Sequence, residues 1–333
     1  MSHTPSLLDA FGRVHTNLRI SVTDRCNIRC FYCMPNENVR FKPRSEILTF
    51  EEIERVARVA AEQGINKLRL TGGEPLVRAN LDVLVRKLAA IEVIEDIALT
   101  TNGILLEEQA AALHAAGLHR LNISLDAMSE ETFRTIARRE GLDRVFAGIA
   151  AAQRVGFRKL RLNAVAIRGL TEPEIVPLAR YAREHGLELR FIEFMPLDAE
   201  QRWQQDQVLS GETIRQRIEA EIGPLVPADR PDPSQPANDF EYVDGGGRVG
   251  FINPVTAPFC QACNRLRLTA EGQLRNCLFS IAEWDARAVL RRGGSDAELS
   301  ELLHDCVRHK KPGHGIDSPE FLRPERAMYQ IGG

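Results

Sequence analysis

The chain has 333 residues, of which 44% are hydrophobic and 27% are charged, a composition typical of a globular protein that buries a core. Its formal net charge of -3 argues against a nucleic-acid partner, because nucleic-acid-binding domains usually carry a basic excess. No stretch approaches the roughly 20 apolar residues of a membrane span, and residues 1–19 lack a secretion signal, so we expect a cytoplasmic protein with no membrane partner.

Short apolar runs alternate with helical patterns between residues 18 and 196, which is typical of repeated βα units around a parallel sheet. Strands are predicted at 18–23, 67–71, 97–101, 121–125, 160–166 and 189–194. Helices are predicted near 50–63, 80–90, 105–116, 130–155 with a break at Gly141, and 172–185. These units favour the α/β class and an incomplete (β/α)6 TIM-like barrel, although a doubly wound open sheet would give the same alternation.

The rest of the chain is expected to form a second unit. Residues 1–222 are predicted to be the barrel domain, and residues 223–238, which hold five of the 17 prolines, are predicted to be a linker. Residues 239–333 should form a smaller C-terminal α+β module, with strands near 240–243, 248–252 and 266–269 and helices near 282–292 and 295–309. In either architecture of the main sheet, functional groups lie at the C-terminal ends of its strands.

Six of the seven cysteines fall into two groups of three, and the seventh, Cys306, fits the apolar face of a helix as a small core residue. Cys26, Cys30 and Cys33 directly follow the first predicted strand. Three thiolates can bind three irons of a 4Fe-4S cluster and leave the fourth iron open. A zinc site would need a fourth ligand that the neighbouring residues do not offer, and a thioredoxin-type redox pair lacks the matching fold pattern.

Cys260, Cys263 and Cys277 form the second group, for which the same reasoning predicts a second cluster with an open iron. Spacing alone leaves open a zinc site completed by His304, His309 or His314.

Arginines on predicted strands point to an anionic ligand. Arg265 and Arg267 alternate with leucines directly after the second cysteine pair, so both lie on one face of a strand and suit phosphate oxygens. An exposed basic strand face would give the same pattern. Arg19, Arg69 and Arg161 lie on barrel strands, where an inward-facing cation is costly unless it is paired. A carboxylate such as Glu193 could supply that pairing, and so could a polyphosphate.

The first cysteine group, followed by the glycine-rich run Thr71 to Pro75, resembles the radical S-adenosylmethionine superfamily. The resemblance implies that the open iron chelates the amine and carboxylate of S-adenosylmethionine. It also implies reductive cleavage of that cofactor to a 5′-deoxyadenosyl radical, which takes hydrogen from a substrate.

The whole chain resembles the GTP 3′,8-cyclase family, which opens molybdenum cofactor biosynthesis by converting GTP to (8S)-3′,8-cyclo-7,8-dihydroguanosine 5′-triphosphate. The resemblance rests on the segments 18–26, 71–75, 100–103, 123–126, 191–196, 259–268 and 331–333. It implies S-adenosylmethionine contacts from Tyr32, Gly73, Ser124 and Met195. It implies GTP contacts from Arg19, Arg69, Thr100, Arg161, Arg265, Leu266 and Arg267, with the guanine base at the second cluster.

The family also assigns its double-glycine tail, here Gly332 and Gly333, to the active site. One position departs from the family, which usually has lysine where this chain has Arg161, and the neighbouring Lys159 is an alternative source of that contact.

The resemblance further implies an external electron donor for the first cluster and a downstream cyclic pyranopterin monophosphate synthase. We expect the protein itself to be a monomer or a homodimer. Two alternatives remain at this point. One is another radical enzyme with an auxiliary cluster, and the other is a zinc-binding nucleic-acid module.

Overall fold

The computed structural model describes residues 6–35, 37–198, 200–319 and 321–332. Its first half consists of six parallel strands joined by helices. The strands are β1 (Asn17–Ser21), β2 (Lys67–Thr71), β3 (Asp96–Thr101), β4 (Arg120–Ser124), β5 (Leu160–Ala166) and β6 (Glu188–Glu193). The helices are α1 (Phe50–Glu62), α2 (Leu81–Ala89), α3 (Leu106–Ala115), α4 (Glu130–Ala137), α5 (Leu142–Val155) and α6 (Ile175–Glu184). The predicted break at Gly141 is confirmed.

The second half adds helices and shorter strands. These are α7 (Gly211–Glu221), β7 (Leu225–Pro227), β8 (Asn238–Tyr242), β9 (Arg248–Ile252), β10 (Arg265–Leu268), β11 (Gln273–Arg275), β12 (Trp284–Asp285), α8 (Ala286–Arg291), α9 (Asp296–Arg308) and α10 (Met328–Ile331).

Local sequence explains where several helices begin and end. Thr49 and Glu52 form a capping box at the start of α1, and Ser295 and Glu298 form another at the start of α9. Helix α5 ends at Gly156, whose φ of 104° lies in the left-handed region that glycine tolerates.

All the strands named above belong to one sheet, in the order β12-β11-β10-β1-β2-β3-β4-β5-β6-β9-β8-β7. The six barrel strands pair in parallel. Strand β10 extends them in parallel beside β1, and β9 does so beside β6, so the C-terminal module continues both edges of the incomplete barrel.

The predicted linker at 223–238 includes β7 and the first residue of β8, which lie at one edge of this sheet. Pro227 is tolerated there because an edge strand can leave a backbone position unpaired.

Residues on each barrel strand alternate between two environments. Leu18, Ile20, Leu68 and Leu70 are buried in the core that the sheet forms with its outer helices. Arginines at intervening positions face the interior of the barrel, where they line a cavity. Within the described residues, no helix is long and apolar enough to cross a membrane.

Candidate active site

The loop that follows β1 carries the first cysteine group. Cys26, Cys30 and Cys33 are half-buried and line one cavity of about 120 Å³. The amides of Cys33 and Met34 both donate to the Cys30 carbonyl at 2.9 Å, so the loop turns tightly around its cysteines. Tyr329, in α10, lines the same cavity.

The glycine-rich loop after β2 packs directly on this cysteine loop. The amide of Gly73 donates to the Thr23 carbonyl at 2.8 Å, and that of Glu74 donates to the Arg25 carbonyl at 2.7 Å. Gly72 has a φ of 141°, and a Cβ on Gly73 would lie only 2.7 Å from the Arg25 carbonyl carbon. Both positions therefore require glycine for the two loops to meet.

The three thiols fit a multi-iron cluster. Burial raises the pKa of Cys26 to about 11 and also raises those of Cys30 and Cys33, so a bound metal would be needed to stabilise the thiolates. In the described part of the chain, no three His, Cys, Asp or Glu side chains come together around a point that could hold a single metal ion. A cluster does not require such a point, because each cysteine binds a different iron.

The small cavity meets a larger one at Tyr32, Thr100, Ser124 and Met328, which line both. The Tyr32 hydroxyl donates to Asp126 Oδ2 at 2.5 Å, and the Val165 amide donates to Asp126 Oδ1 at 2.8 Å. Of the four residues that the family implies for S-adenosylmethionine, Tyr32 and Ser124 lie at this junction. Gly73 lines the small cavity and Met195 the large one.

The larger cavity, of about 280 Å³, fills the barrel interior and is strongly basic. Strand register places Arg267, Arg19 and Arg69 side by side on β10, β1 and β2. Like charges at directly opposed positions of neighbouring strands are destabilising. An anion in the cavity would relieve that repulsion.

Two arginines of this row and the neighbouring Arg265 each have a buried nitrogen that lacks a hydrogen bond in the described structure. Within the described residues, the Nε atoms of Arg19, Arg69 and Arg265 are buried without a hydrogen-bond partner. Burial, followed by the charges of nearby arginines, lowers the pKa of Arg69 to about 9 and that of Arg267 to about 9. The cations are therefore destabilised in the free protein, which favours an anionic ligand.

Other cations of the cavity have carboxylate partners. Arg161 Nε donates to Glu188 at 2.7 Å, Arg190 pairs with Asp239 at 2.9 Å, and Lys67 pairs with Asp232 at 2.8 Å. Glu193, considered above as an internal counter-ion, instead accepts the amides of Val255 and Thr256 at 2.9 Å each.

The second cysteine group lies on the other side of the basic row. Cys260, Cys263 and Cys277 line a further cavity of about 500 Å³, together with Lys310 and His314. Burial raises the pKa of Cys263, but the positive charges of Arg265 and Lys310 outweigh it and bring the pKa to about 6. This site therefore favours a thiolate.

Each histidine considered for zinc has a hydrogen bond to another group, although His309 and His314 line the same cavity as the cysteines. His314 Nε2 donates to the Pro254 carbonyl at 2.8 Å, and its Nδ1 accepts the Ile316 amide at 3.1 Å. His304 Nε2 contacts Gln63 Oε1 at 3.0 Å, and His309 Nδ1 contacts the Asp305 carbonyl at 2.9 Å. Among the described residues, no group of three His, Cys, Asp or Glu side chains could hold a single metal ion, which argues against a zinc site here.

Gly332 contacts Arg267, which lines the basic cavity. Its carbonyl accepts a hydrogen bond from Arg267 Nη1, and its φ of 72° lies in the left-handed region. A Cβ at this position would lie 2.9 Å from Thr71 Cγ2 and still closer to Ser21 Oγ. Gly333 lies outside the described residues.

Some expected residues occupy other places. The Leu266 side chain is buried in the hydrophobic core rather than in the cavity, so only its backbone could contact a ligand there. Lys159 is exposed and lines a separate surface cavity, whereas Arg161 lines the basic one. Cys306 is fully buried in the core, as predicted.

Several residues that line the basic cavity escaped the sequence analysis. Lys67 lies two positions before Arg69 on β2, so the alternation of a strand could have identified it. Arg120 and Arg190 carry the same signal of a cation on a barrel strand. Lys310, beside the second cysteine group, follows a helix and carries no such local signal.

Two family models match the chain in succession. The Radical SAM superfamily matches residues 20–182, and Molybdenum Cofactor Synthesis C matches residues 187–316.

Similar proteins cover the whole chain. The GTP 3′,8-cyclase of Rhodopirellula baltica is 52% identical over 336 residues, which span 100% of this chain and 94% of that protein. The GTP 3′,8-cyclase of Pelotomaculum thermopropionicum is 45% identical over 325 residues, spanning 98% of this chain and 99% of that protein.

Solved structures show the same fold at low identity. Streptococcus suis SuiB bound to its precursor peptide SuiA has a TM-score of 0.62 and 15% identity, covering 91% of this chain and 67% of that one. SuiB bound to S-adenosylmethionine has a TM-score of 0.60 and 14% identity, covering 87% and 68%.

Proposed function

Because this chain belongs to the GTP 3′,8-cyclase family, we propose that its two cysteine groups and the basic cavity between them divide the work of that reaction. The chain is a radical S-adenosylmethionine lyase with two 4Fe-4S clusters, and it converts GTP to the 3′,8-cyclo nucleotide in the first step of molybdenum cofactor biosynthesis. The proposal assigns these parts to residues. The observation that carries it is the row of Arg267, Arg19 and Arg69 between the cysteine groups.

In this proposal the small cavity binds the first cluster and S-adenosylmethionine. Cys26, Cys30 and Cys33 hold the cluster. Gly73 lines the same cavity and has no side chain, so the cofactor can approach its backbone. When bound, the cluster and cofactor supply the 5′-deoxyadenosyl radical that removes hydrogen from the ribose of GTP. Tyr32 and Ser124, at the junction of the two cavities, orient the cofactor toward the substrate.

The basic cavity binds GTP. The unpartnered Nε atoms of Arg19, Arg69 and Arg265 are free to donate to phosphate oxygens, and Thr100 Oγ1 is also buried without a hydrogen-bond partner in the described structure. Arg161 lines the same cavity, but its carboxylate partner Glu188 reduces the charge available for phosphate.

Cys260, Cys263 and Cys277 would hold the second cluster, which would supply an open iron for the guanine base. The protein therefore accelerates cyclisation mainly by placement, because a triphosphate fixed at one end and a base fixed at the other hold the ribose in between. Gly332 closes the site by accepting the hydrogen bond of Arg267, which leaves that guanidinium oriented into the cavity.

We extend this proposal to the roles of the two domains, the cellular location and the partners. Residues 1–222 generate the radical, and residues 239–333 contribute the second cluster and part of the GTP site. The enzyme acts in the cytoplasm as a monomer or homodimer, receives electrons from an external donor, and passes its product to a cyclic pyranopterin monophosphate synthase.

Anaerobic assay of the full chain tests the assignment. Purified protein should carry about eight irons per chain, four for each cluster. With S-adenosylmethionine and a reductant, it should form 5′-deoxyadenosine only when GTP is added. Equal yields with and without GTP would contradict the assignment of the basic cavity, and a colourless protein that contains zinc would contradict both clusters.

A further inference from the structure

Lys310 is a buried lysine next to the second cysteine group. Lys310 lies two residues after the end of α9 and is only 5% exposed. Its Nζ donates to Cys263 Sγ at 3.5 Å and to the Arg265 carbonyl at 2.8 Å. The ammonium therefore touches both a proposed cluster ligand and the backbone of a proposed substrate-binding arginine.

The segment that carries Lys310 is held in place by Arg13. Arg13 Nη2 donates to the Lys311 carbonyl at 2.7 Å, and its Nη1 donates to the Cys260 carbonyl at 2.7 Å. Buried Asp9 fixes the Arg13 guanidinium with a 2.6 Å contact to Nε. The approach of Lys310 to Cys263 is thus built into the fold rather than left to a flexible side chain.

The buried ammonium of Lys310 requires a negatively charged partner. A buried ammonium is costly without a counter-charge. Across the described residues its two hydrogen-bond acceptors are a sulfur and a carbonyl oxygen, and the nearby side chains of Arg13 and Arg265 are also cationic. When deprotonated, Cys263 would supply that anion at 3.5 Å from Nζ, and Cys277 is a second thiol nearby.

We propose that Lys310 is a positioning residue that donates a hydrogen bond to the Cys263 ligand of the second cluster and raises the reduction potential of that cluster. This inference rests on the proposed function, which places a cluster on Cys260, Cys263 and Cys277. A one-electron reduction makes the cluster and its thiolates more negative, so a neighbouring cation and an N–H···S hydrogen bond stabilise the reduced form more than the oxidised form.

The test is a redox titration of the holoenzyme followed by electron paramagnetic resonance. The signal that disappears in Cys277→Ala identifies the second cluster. In Lys310→Met we expect its potential to become more negative by an amount equal to about a tenfold change in the reduction equilibrium, or 59 mV for one electron. The first cluster should keep its potential in the same sample.

Lys311→Met is the matched control, because Lys311 is the exposed neighbouring lysine and contributes its carbonyl rather than its side chain to the anchoring contacts. The control should leave both potentials unchanged. An unchanged second-cluster potential in Lys310→Met would overturn the proposal.

Two further outcomes are separable. If Lys310→Met loses the second cluster, Lys310→Arg decides the question, since it keeps the charge and the donors. Recovery of the cluster in that variant supports the proposal, and failure to recover it overturns the proposal. If Cys277→Ala removes no signal, the assigned cluster site itself is wrong.

Discussion

The substitution Gly332→Ala tests whether the 327–332 segment completes the active site. Gly332 combines a left-handed φ of 72° with close packing against Ser21 and Thr71. Its carbonyl is also the acceptor for Arg267 Nη1. A single methyl group at this position should therefore displace the segment and release Arg267 while leaving the barrel intact.

The free energy by which Gly332→Ala disfavours the docked segment is the sum of two costs. An L-residue with a side chain pays about 1 kcal/mol for the left-handed conformation. The new Cβ would lie 2.9 Å from Thr71 Cγ2, and forcing a methyl group into a packed site costs about 1 to 3 kcal/mol more. A combined cost of about 2 kcal/mol or more lowers the equilibrium constant for docking of the segment by about thirtyfold.

The assay is GTP-dependent formation of 5′-deoxyadenosine under anaerobic conditions. We expect Gly332→Ala to reduce it at least about tenfold, with iron content unchanged. Gly245→Ala is the control, because Gly245 has a φ of 79° and no atom within 4 Å of an added Cβ. It carries the conformational cost without the clash, so its activity should match that of the unaltered protein. Full activity in Gly332→Ala would refute the docked segment as part of the site.

Other substitutions address the remaining parts of the site. Arg265→Ala should weaken GTP binding by about 1 to 3 kcal/mol in calorimetry because it removes a charge-assisted phosphate contact, whereas the exposed Arg248→Ala should not. Cys277→Ala should halve the iron content and abolish cyclisation while the first cluster survives, and full activity would remove the second cluster from the mechanism. Gly72→Ala should prevent cleavage of S-adenosylmethionine. Gly72 has a φ of 141°, and an added Cβ would lie 3.1 Å from the Thr23 amide nitrogen and closer still to the Thr23 carbonyl oxygen. Normal cleavage in this variant would contradict the packing of the two loops.

The barrel strands could be predicted closely because each carries its own signal. Strand β2 occupies the predicted residues 67–71 and β5 the predicted residues 160–166. Both alternate apolar and polar residues over a short run that ends before a loop, and this pattern is local. The first cysteine group could be recognised in the same way, because Cys26, Cys30 and Cys33 lie within one short segment and need no tertiary information.

The pairing of β10 with β1 could not be predicted in this way. The register that places Arg267 beside Arg19 joins residues almost 250 positions apart, and nothing in either segment specifies its partner. The short strand β7 within the predicted linker 223–238 could not be predicted either, because an edge strand tolerates proline as well as a linker does. Lys310 was missed for a related reason, since its role depends on the Arg13 contacts that bring distant segments together.

In the proposed function, the arginine row would link GTP binding to the pairing of β10 with β1. Arg267 belongs to the C-terminal module and Arg19 to the first barrel strand, so their repulsion acts at the boundary where β10 joins β1. A phosphate held between them replaces that repulsion with attraction on both strands. Because a ligand that binds only the folded protein stabilises it by mass action, GTP should strengthen this boundary most, where the free protein is electrostatically weakest. The same three residues would thus recognise the triphosphate and fasten the second cluster to the radical-generating barrel.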